Sequence, residues 1–274
     1  MTNTLVLQIA LSSETEKLLT QIVTVCAQQN VAFFVAGATA REVLIHHIHG
    51  RRPGRRTSDI DIAIFVDDWS SFTELQAAFI AEGATTTKGN PHHLIWAENH
   101  LDIIPFGGVA EENKIAWPPD RAIVMNVDGF REAFEHTVVV RLFNGAELPF
   151  CSLPGLAMLK IFAWQARGHG NGKDAIDLFT IISEYGNIEE ERIWDAPLEE
   201  DDLDADLERM GAFLLGLDIA ALLQQSSHGI TAAQLLSLQS HKIVDAIVSS
   251  NTRETPDRIE QLVEDFWRGI AFRE

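Results

Sequence analysis

The sequence predicts an α/β domain built on a mixed sheet over residues 1–150, followed by an all-α helical domain over residues 151–274. Three observations carry this expectation. Short apolar runs, partly β-branched, alternate with helix-period segments as far as Cys151. Two pairs of such runs have hairpin spacing, one of them around the turn pair Asn144-Gly145. Beyond Cys151 the strand signals stop, and the patterned segments that remain have the helical period.

Each element follows in order. Ser13 to Gln29 places Leu18, Leu19, Ile22, Val23 and Cys26 on one helical face. Val31 to Ala36 is a buried strand, ended by Gly37. Thr39 to His47 has helical spacing through Ala40, Val43 and Leu44. Gly50, Pro53 and Gly54 mark His49 to Ser58 as a loop. Ile60 to Val66 is a second strand, and Ser70 or Ser71 caps a helix reaching about Glu82. His93 to Ala97 and Leu101 to Phe106 form one hairpin, Val138 to Phe143 and Glu147 to Cys151 another. Helices then follow from Pro154 to Arg167, Lys173 to Tyr185, Asp204 to Gln224, Thr231 to Ser249 and Pro256 to Ala271. Thr255-Pro256 is a helix-start pair.

Composition narrows the class. The chain has 274 residues, 46% of them apolar and 22% charged, as ordinary globular proteins do. It has no apolar stretch of the roughly 18–20 residues that a membrane helix needs. A signal peptide is not expected, because no basic region precedes the short apolar run near the N-terminus. Cys26 and Cys151 are the only cysteines, too few and too far apart for a disulfide framework or a zinc site, so a reducing, cytoplasmic setting is expected. The net charge of −19 argues against coating of nucleic acid by the whole surface. Yet Arg51, Arg52, Arg55 and Arg56 cluster within six residues, while Glu189 to Glu208 is strongly acidic. A local basic patch on an acidic chain suits a confined phosphate site, or else is a solvated loop.

The chemistry lies in Thr57-Ser58-Asp59-Ile60-Asp61-Ile62-Ala63-Ile64. Side chains alternate along a strand, so Asp59 and Asp61 share a face while Ile60 and Ile62 enter the core. Two neighbouring carboxylates repel, and solvent or a cation must neutralise them. Mg²⁺, with Mn²⁺ as a substitute, favours such oxygen donors and is commonly shared between one or two carboxylates and substrate phosphates. Asp102 is a third acid, alone in the apolar run Leu101 to Phe106. If its strand pairs beside the first, three carboxylates converge. Arg41, Thr57 and Ser58, near these motifs, are expected nucleotide contacts.

A strand ending in glycine, a helix, an apolar-Asp-apolar-Asp-apolar strand and a later strand with one Asp resemble the DNA polymerase β-like nucleotidyltransferase superfamily. That resemblance implies that Gly37 and Ala38 approach a nucleoside triphosphate. It also implies that Asp59 and Asp61 bind metal and that Asp102 completes the site. Ala38 departs from the usual Ser or Gly, and the gap from Ala38 to Asp59 is longer than usual. Further on, Leu159-Lys160 precedes Trp164 and Arg167 on one helical face. Arg167-Gly168, a short loop and Lys173-Asp174-Ala175-Ile176-Asp177-Leu178 follow. This part is similar to the AbiEii/AbiGii toxin-type nucleotidyltransferases, the likeness running roughly from Val31 to Tyr185. It implies a toxin enzyme of toxin–antitoxin or phage-defence systems, with RNA or tRNA as acceptor and an antitoxin protein as partner. Lys160, Lys173 and Asp174 then become candidates for the nucleotide, with Lys160 catalytic and the helical domain completing the active cleft. Asp174 and Asp177 also have a plainer role, since acids in the first turn of a helix complement its dipole.

The expected activity is Mg²⁺-dependent transfer of a nucleoside monophosphate from a triphosphate to an acceptor hydroxyl. The alternatives are the same chemistry on a small molecule such as an aminoglycoside, or a non-catalytic member that binds nucleotide. His46, His47 and His49, and the pair His92-His93, make a poor zinc pattern, because adjacent histidines on a strand point apart.

Overall fold

The computed structural model describes residues 4–52, 54, 59–96, 99–167, 172–193, 203–226, 229–250 and 253–272. The chain divides into two units, Met1–Ser152 and Leu153–Glu274.

The first unit is built on an eight-stranded mixed sheet. Its strands are β1 (Thr4–Val6), β2 (Ala32–Ala36), β3 (Asp59–Val66), β4 (Thr85–Thr87), β5 (Asn90–Trp96) and β6 (Asn99–Gly107), with β9 (Thr137–Arg141) and β10 (Glu147–Cys151). The spatial order is β1-β9-β10-β2-β3-β6-β5-β4. β2 runs antiparallel to β3, β3 parallel to β6, and β5 antiparallel to β6. A separate pair, β7 (Lys114–Ala116) with β8 (Val124–Asn126), was not expected from the sequence, nor were β1 and β4. Three-residue strands are too short to show a periodicity.

Burial fixes the register of the central strand. Ile60, Ile62 and Ile64 are at most 4% exposed, and burying each side chain is worth about 2–3 kcal/mol. A slip of one residue would turn all three outward. The opposite face therefore carries Asp59, Asp61, Ala63 and Phe65. Its Phe65 end is closed by rings: Phe34, Phe65, Phe106, Phe130 and Phe134 pack with centroids 5.5–6.4 Å apart. The last two belong to a short helix, α4 (Phe130–Glu135), which one and a half turns of sequence do not reveal.

The helices of this unit depart from expectation at their ends. α1 (Ser13–Gln28) is capped by the Ser12 side chain, which accepts from the Thr15 N–H. α2 (Gly37–Glu42) starts two residues before the expected Thr39 and continues as wider π-type turns over Val43–Ile48. α3 (Trp69–Ala81) is capped by Asp68 rather than by Ser70 or Ser71; its carboxylate accepts from the Ser71 N–H at 2.9 Å and from both serine hydroxyls. The stronger, ionised acceptor takes the cap and the serines become donors to it. The Asn144-Gly145 turn forms as expected, with Gly145 at φ +89° and the Asn144 side chain accepting from the Ala146 N–H.

In the second unit the described elements are helices: α5 (Leu153–Ala166), α6 (Lys173–Ile188), α7 (Glu190–Ile193), α8 (Leu207–Gln225), α9 (Ala232–Leu236), α10 (His241–Ser249) and α11 (Pro256–Ala271). α8 packs against α5, α6 and α11. Its approach to α11 depends on Gly216 and Gly269, where an added Cβ would strike the partner's backbone. The expected helix Thr231 to Ser249 is two helices, because Ser240 begins a new one by accepting from the Lys242 N–H. α11 starts at Thr255-Pro256 as expected, with the Thr255 hydroxyl accepting from the Arg258 N–H. No helix among the described residues is long and apolar enough to cross a membrane.

Candidate active site

The acidic end of β3 is shaped by its neighbours on both sides. On one side Ala36 of β2 is the register partner of Asp61, and the chain then turns at Gly37 with φ +65°. A Cβ built at Gly37 would land on the Asp61 carboxylate. Glycine is required there twice over, by the left-handed backbone and by the volume that the carboxylate takes. From the turn, Thr39 donates its hydroxyl proton to the Asp59 carbonyl at 2.8 Å and so ties α2 to the start of β3. Ala38 is buried, and Arg41, one turn further along the same helix, is fully buried.

On the other side β6 runs parallel to β3, pairing Asp61 with Asp102 and Asp59 with His100. Neighbouring strands lie about 4.8 Å apart, so Asp61 and Asp102 stand side by side on one face. Asp59 is exposed and Asp61 partly so, while the Asp102 side chain is 28% exposed. The next strand, β5, brings His93 opposite Asp102. His93 Nδ1 lies 2.6 Å from Asp102 Oδ1, and His93 Nε2 lies 2.9 Å from His100 Nδ1, with the two rings stacked 5.0 Å apart.

The three carboxylates therefore border one open strip of sheet, but they are not drawn into a closed cage. Among the described residues, no three His, Cys, Asp or Glu side chains are grouped tightly enough to hold an ion on their own. The donor chemistry nevertheless fits a hard divalent cation, which takes oxygen ligands and fills the remainder of its octahedron with water and substrate phosphate. Gly37 beside Asp61 also leaves the backbone clear of the carboxylate.

The other expected site residues fall as follows. Thr57, Ser58, Arg55 and Arg56 lie outside the described residues, as does the glycine-rich run from Gly168 to Asn171. Lys160 on α5 donates to Asp177 at 2.8 Å and to Asp174 at 3.2 Å, and Arg167 donates to Asp174 at 2.9 Å. Asp174 and Asp177 are 2% and 0% exposed. Lys173 begins α6. Trp164 is buried, whereas the Arg167 side chain is 61% exposed.

The histidines that made a poor metal pattern are used locally. His46 Nδ1 contacts the Arg51 carbonyl and His47 Nδ1 the Ile9 carbonyl. His92 and His93 do point apart: His92 lies 5.4 Å from the Trp117 ring, and burial is the main influence that lowers its pKa. Burial pushes the Cys26 thiol up to about 12 and the Cys151 thiol higher still, so neither is a nucleophile at neutral pH. The sequence reading passed over Thr39, His93 and His100. The two histidines carried one usable signal, His100 two residues before the third Asp on its own strand and His93 on the strand before it, but only the register brings His93 to the acid.

The family described as "Nucleotidyl transferase AbiEii toxin, Type IV TA system" matches residues 18–265, so the chain belongs to the AbiEii nucleotidyltransferases. No curated protein sequence matches it. Similar solved structures are the antibiotic-resistance factor ANT(2'')-Ia in solution, at 14% identity and TM-score 0.39 over 62% of this chain and 83% of that one. ANT(2'')-Ia in complex with adenylyl-2''-tobramycin is similar at 13% identity and TM-score 0.40 over 66% and 95%. An antigenic nucleotidyltransferase-like protein from Paracoccidioides brasiliensis is similar at 16% identity and TM-score 0.41 over 73% and 94%.

Proposed function

We propose that this nucleotidyltransferase moves a nucleoside monophosphate from a triphosphate to a hydroxyl of RNA, tRNA or another, in a toxin–antitoxin setting. One observation carries the reading of the site: Asp61 and Asp102 are register partners on parallel strands, Asp59 precedes Asp61 on the same face, and Gly37 makes room for the Asp61 carboxylate. In the reaction the acceptor hydroxyl gives its proton to a base, Asp102 or water, its oxygen bonds to the α-phosphorus and the bond to the leaving pyrophosphate breaks. Asp59 and Asp61 would hold Mg²⁺, and Asp102 would either join them or orient the acceptor hydroxyl. When bound, the ion supplies positive charge for the transferring and leaving oxygens. Gly37 and Ala38, with Thr57 and Ser58, hold the triphosphate, and Arg41 adds fixed positive charge from within α2. Lys160, Lys173 and Asp174 are further proposed nucleotide contacts. The Lys160 ammonium is held in one place by two acids, and charge fixed in advance stabilises a transition state best.

The membership of a toxin family and the arginines from Arg51 to Arg56 support an RNA acceptor and an antitoxin partner. The net charge of −19 supports the rival acceptor, a small cationic molecule such as an aminoglycoside. Incubation of the purified chain with Mg²⁺, [α-³²P]NTPs and a cell extract separates the two. Label in ribonuclease-sensitive material is the expected result. Label only in small cationic products replaces the acceptor, and Mg²⁺-dependent NTP binding without pyrophosphate release makes the chain a non-catalytic binder.

A further inference from the structure

We infer that His93, steadied by His100, is a positioning residue for Asp102. The inference rests on the carboxylate site proposed above and adds to it His93 from the neighbouring strand β5 and His100 from the acid's own strand β6.

The argument begins with which atoms can donate. An ionised carboxylate only accepts, so the 2.6 Å contact requires a proton on His93 Nδ1. In a neutral ring that leaves Nε2 as an acceptor, and His100 Nδ1 lies 2.9 Å from it. The chain then runs one way: His100 Nδ1–H to His93 Nε2, and His93 Nδ1–H to Asp102 Oδ1. Each link fixes the tautomer of the ring it meets. The stacked arrangement of the rings limits their rotation, and the His93 side chain is only 15% exposed.

The consequence is at the acid. Oδ1 of Asp102 is committed to His93, so the carboxylate cannot swing freely about its χ2 torsion, and Oδ2 is the oxygen left to the reaction. Register places that acid directly beside Asp61. A carboxylate with one oxygen tied back offers the other in a single direction, toward a metal or an acceptor hydroxyl. Partners that orient a ligating or catalytic group in this way typically contribute 10- to 100-fold in affinity or activity.

Two measurements test this on the whole chain. The first needs no turnover: ¹H–¹⁵N spectra of the histidine-labelled, metal-free protein at pH 8. The expected spectrum has a protonated Nδ1 on His93, identified by the signal missing from His93→Asn and perturbed in Asp102→Ala. A His93 ring without a proton on Nδ1 overturns the inference. The second compares nucleotide transfer to unfractionated tRNA from the [α-³²P]NTP that the wild type uses best. His93→Ala is expected to lower kcat about 10-fold or more, with KM for the nucleotide changed by less than about twofold because the residues proposed to hold its triphosphate are untouched. His93→Asn, whose side-chain amide donates from nearly the place of Nδ1, recovers most of the loss. A wild-type kcat for His93→Ala, or an Asn variant no better than Ala at equal thermal stability, overturns it. Asp61→Ala run alongside keeps the two levels apart. If that variant transfers as wild type does, the carboxylate site itself has failed; if it is inactive while His93→Ala is not, only the role of His93 has.

Discussion

Asp61 and Asp177 both sit on elements rich in buried aliphatic side chains, yet their surroundings differ. Asp61 is partly exposed at the open end of a sheet face, against a glycine turn and beside a second acid. Asp177 is completely buried, with an ammonium 2.8 Å away. Its neighbour Asp174 is shared by Lys160 and Arg167, so two acids meet two cations inside the helical unit. A buried carboxylate without such a partner is costly, and removing one member of a buried pair costs about 3–5 kcal/mol. Asp61 and Asp102 stand on a partly exposed sheet face, whereas Asp174 and Asp177 are buried against cations of their own unit. The comparison teaches that the same residue type can be read for chemistry or for stability only once its burial and partners are known.

The largest expected effect tests the sheet half of the comparison. Asp61→Ala, or Asp59→Ala, should lower single-turnover transfer by about 10²–10³-fold or more, the scale of losing one preorganised electrostatic contact. Thermal melting without Mg²⁺ checks that the variant remains folded at the assay temperature. An unchanged rate removes these acids from the reaction.

Lys160→Met tests both halves at once. As a structural cation its loss should destabilise the chain by about 3 kcal/mol, since Asp177 is left buried. As a triphosphate contact its loss should lower transfer at saturating NTP by about 10²-fold in the folded fraction. Melting alone affected would place Lys160 wholly on the structural side; rate affected as well keeps it in the reaction.

Asp177→Asn sharpens the helical half. It keeps the shape and removes the charge, and a loss of about 1–2 kcal/mol would lower Tm by roughly 2–8 °C in a chain of this size. The rate constant of the folded enzyme should not change. A fall in rate at constant Tm would move Asp177 to the chemistry.

The smallest effect concerns the arginine segment. Replacing Arg51, Arg52, Arg55 and Arg56 by Gln should weaken RNA binding and reduce the log–log salt slope by up to about 3, with little change in NTP binding. Unaltered RNA affinity at low salt would make the segment a solvated loop.

The sequence by itself determined the mixed α/β character of the first half, the strand carrying Asp59 and Asp61, and the third acid on a later strand. It could do so because period-2 alternation and glycine punctuation are local properties of the chain. Helix starts such as Thr255-Pro256 were legible for the same reason, while Asp68 took the cap expected of its serines through side-chain competition that spacing does not show. Tertiary structure alone decided that β6 lies beside β3 in the register joining Asp61 to Asp102, and that β5 brings His93 to that acid. It also decided that Lys160 bridges Asp174 and Asp177. These are pairings between segments remote in sequence, set by which apolar faces are buried together, and no pattern within one segment encodes its partner.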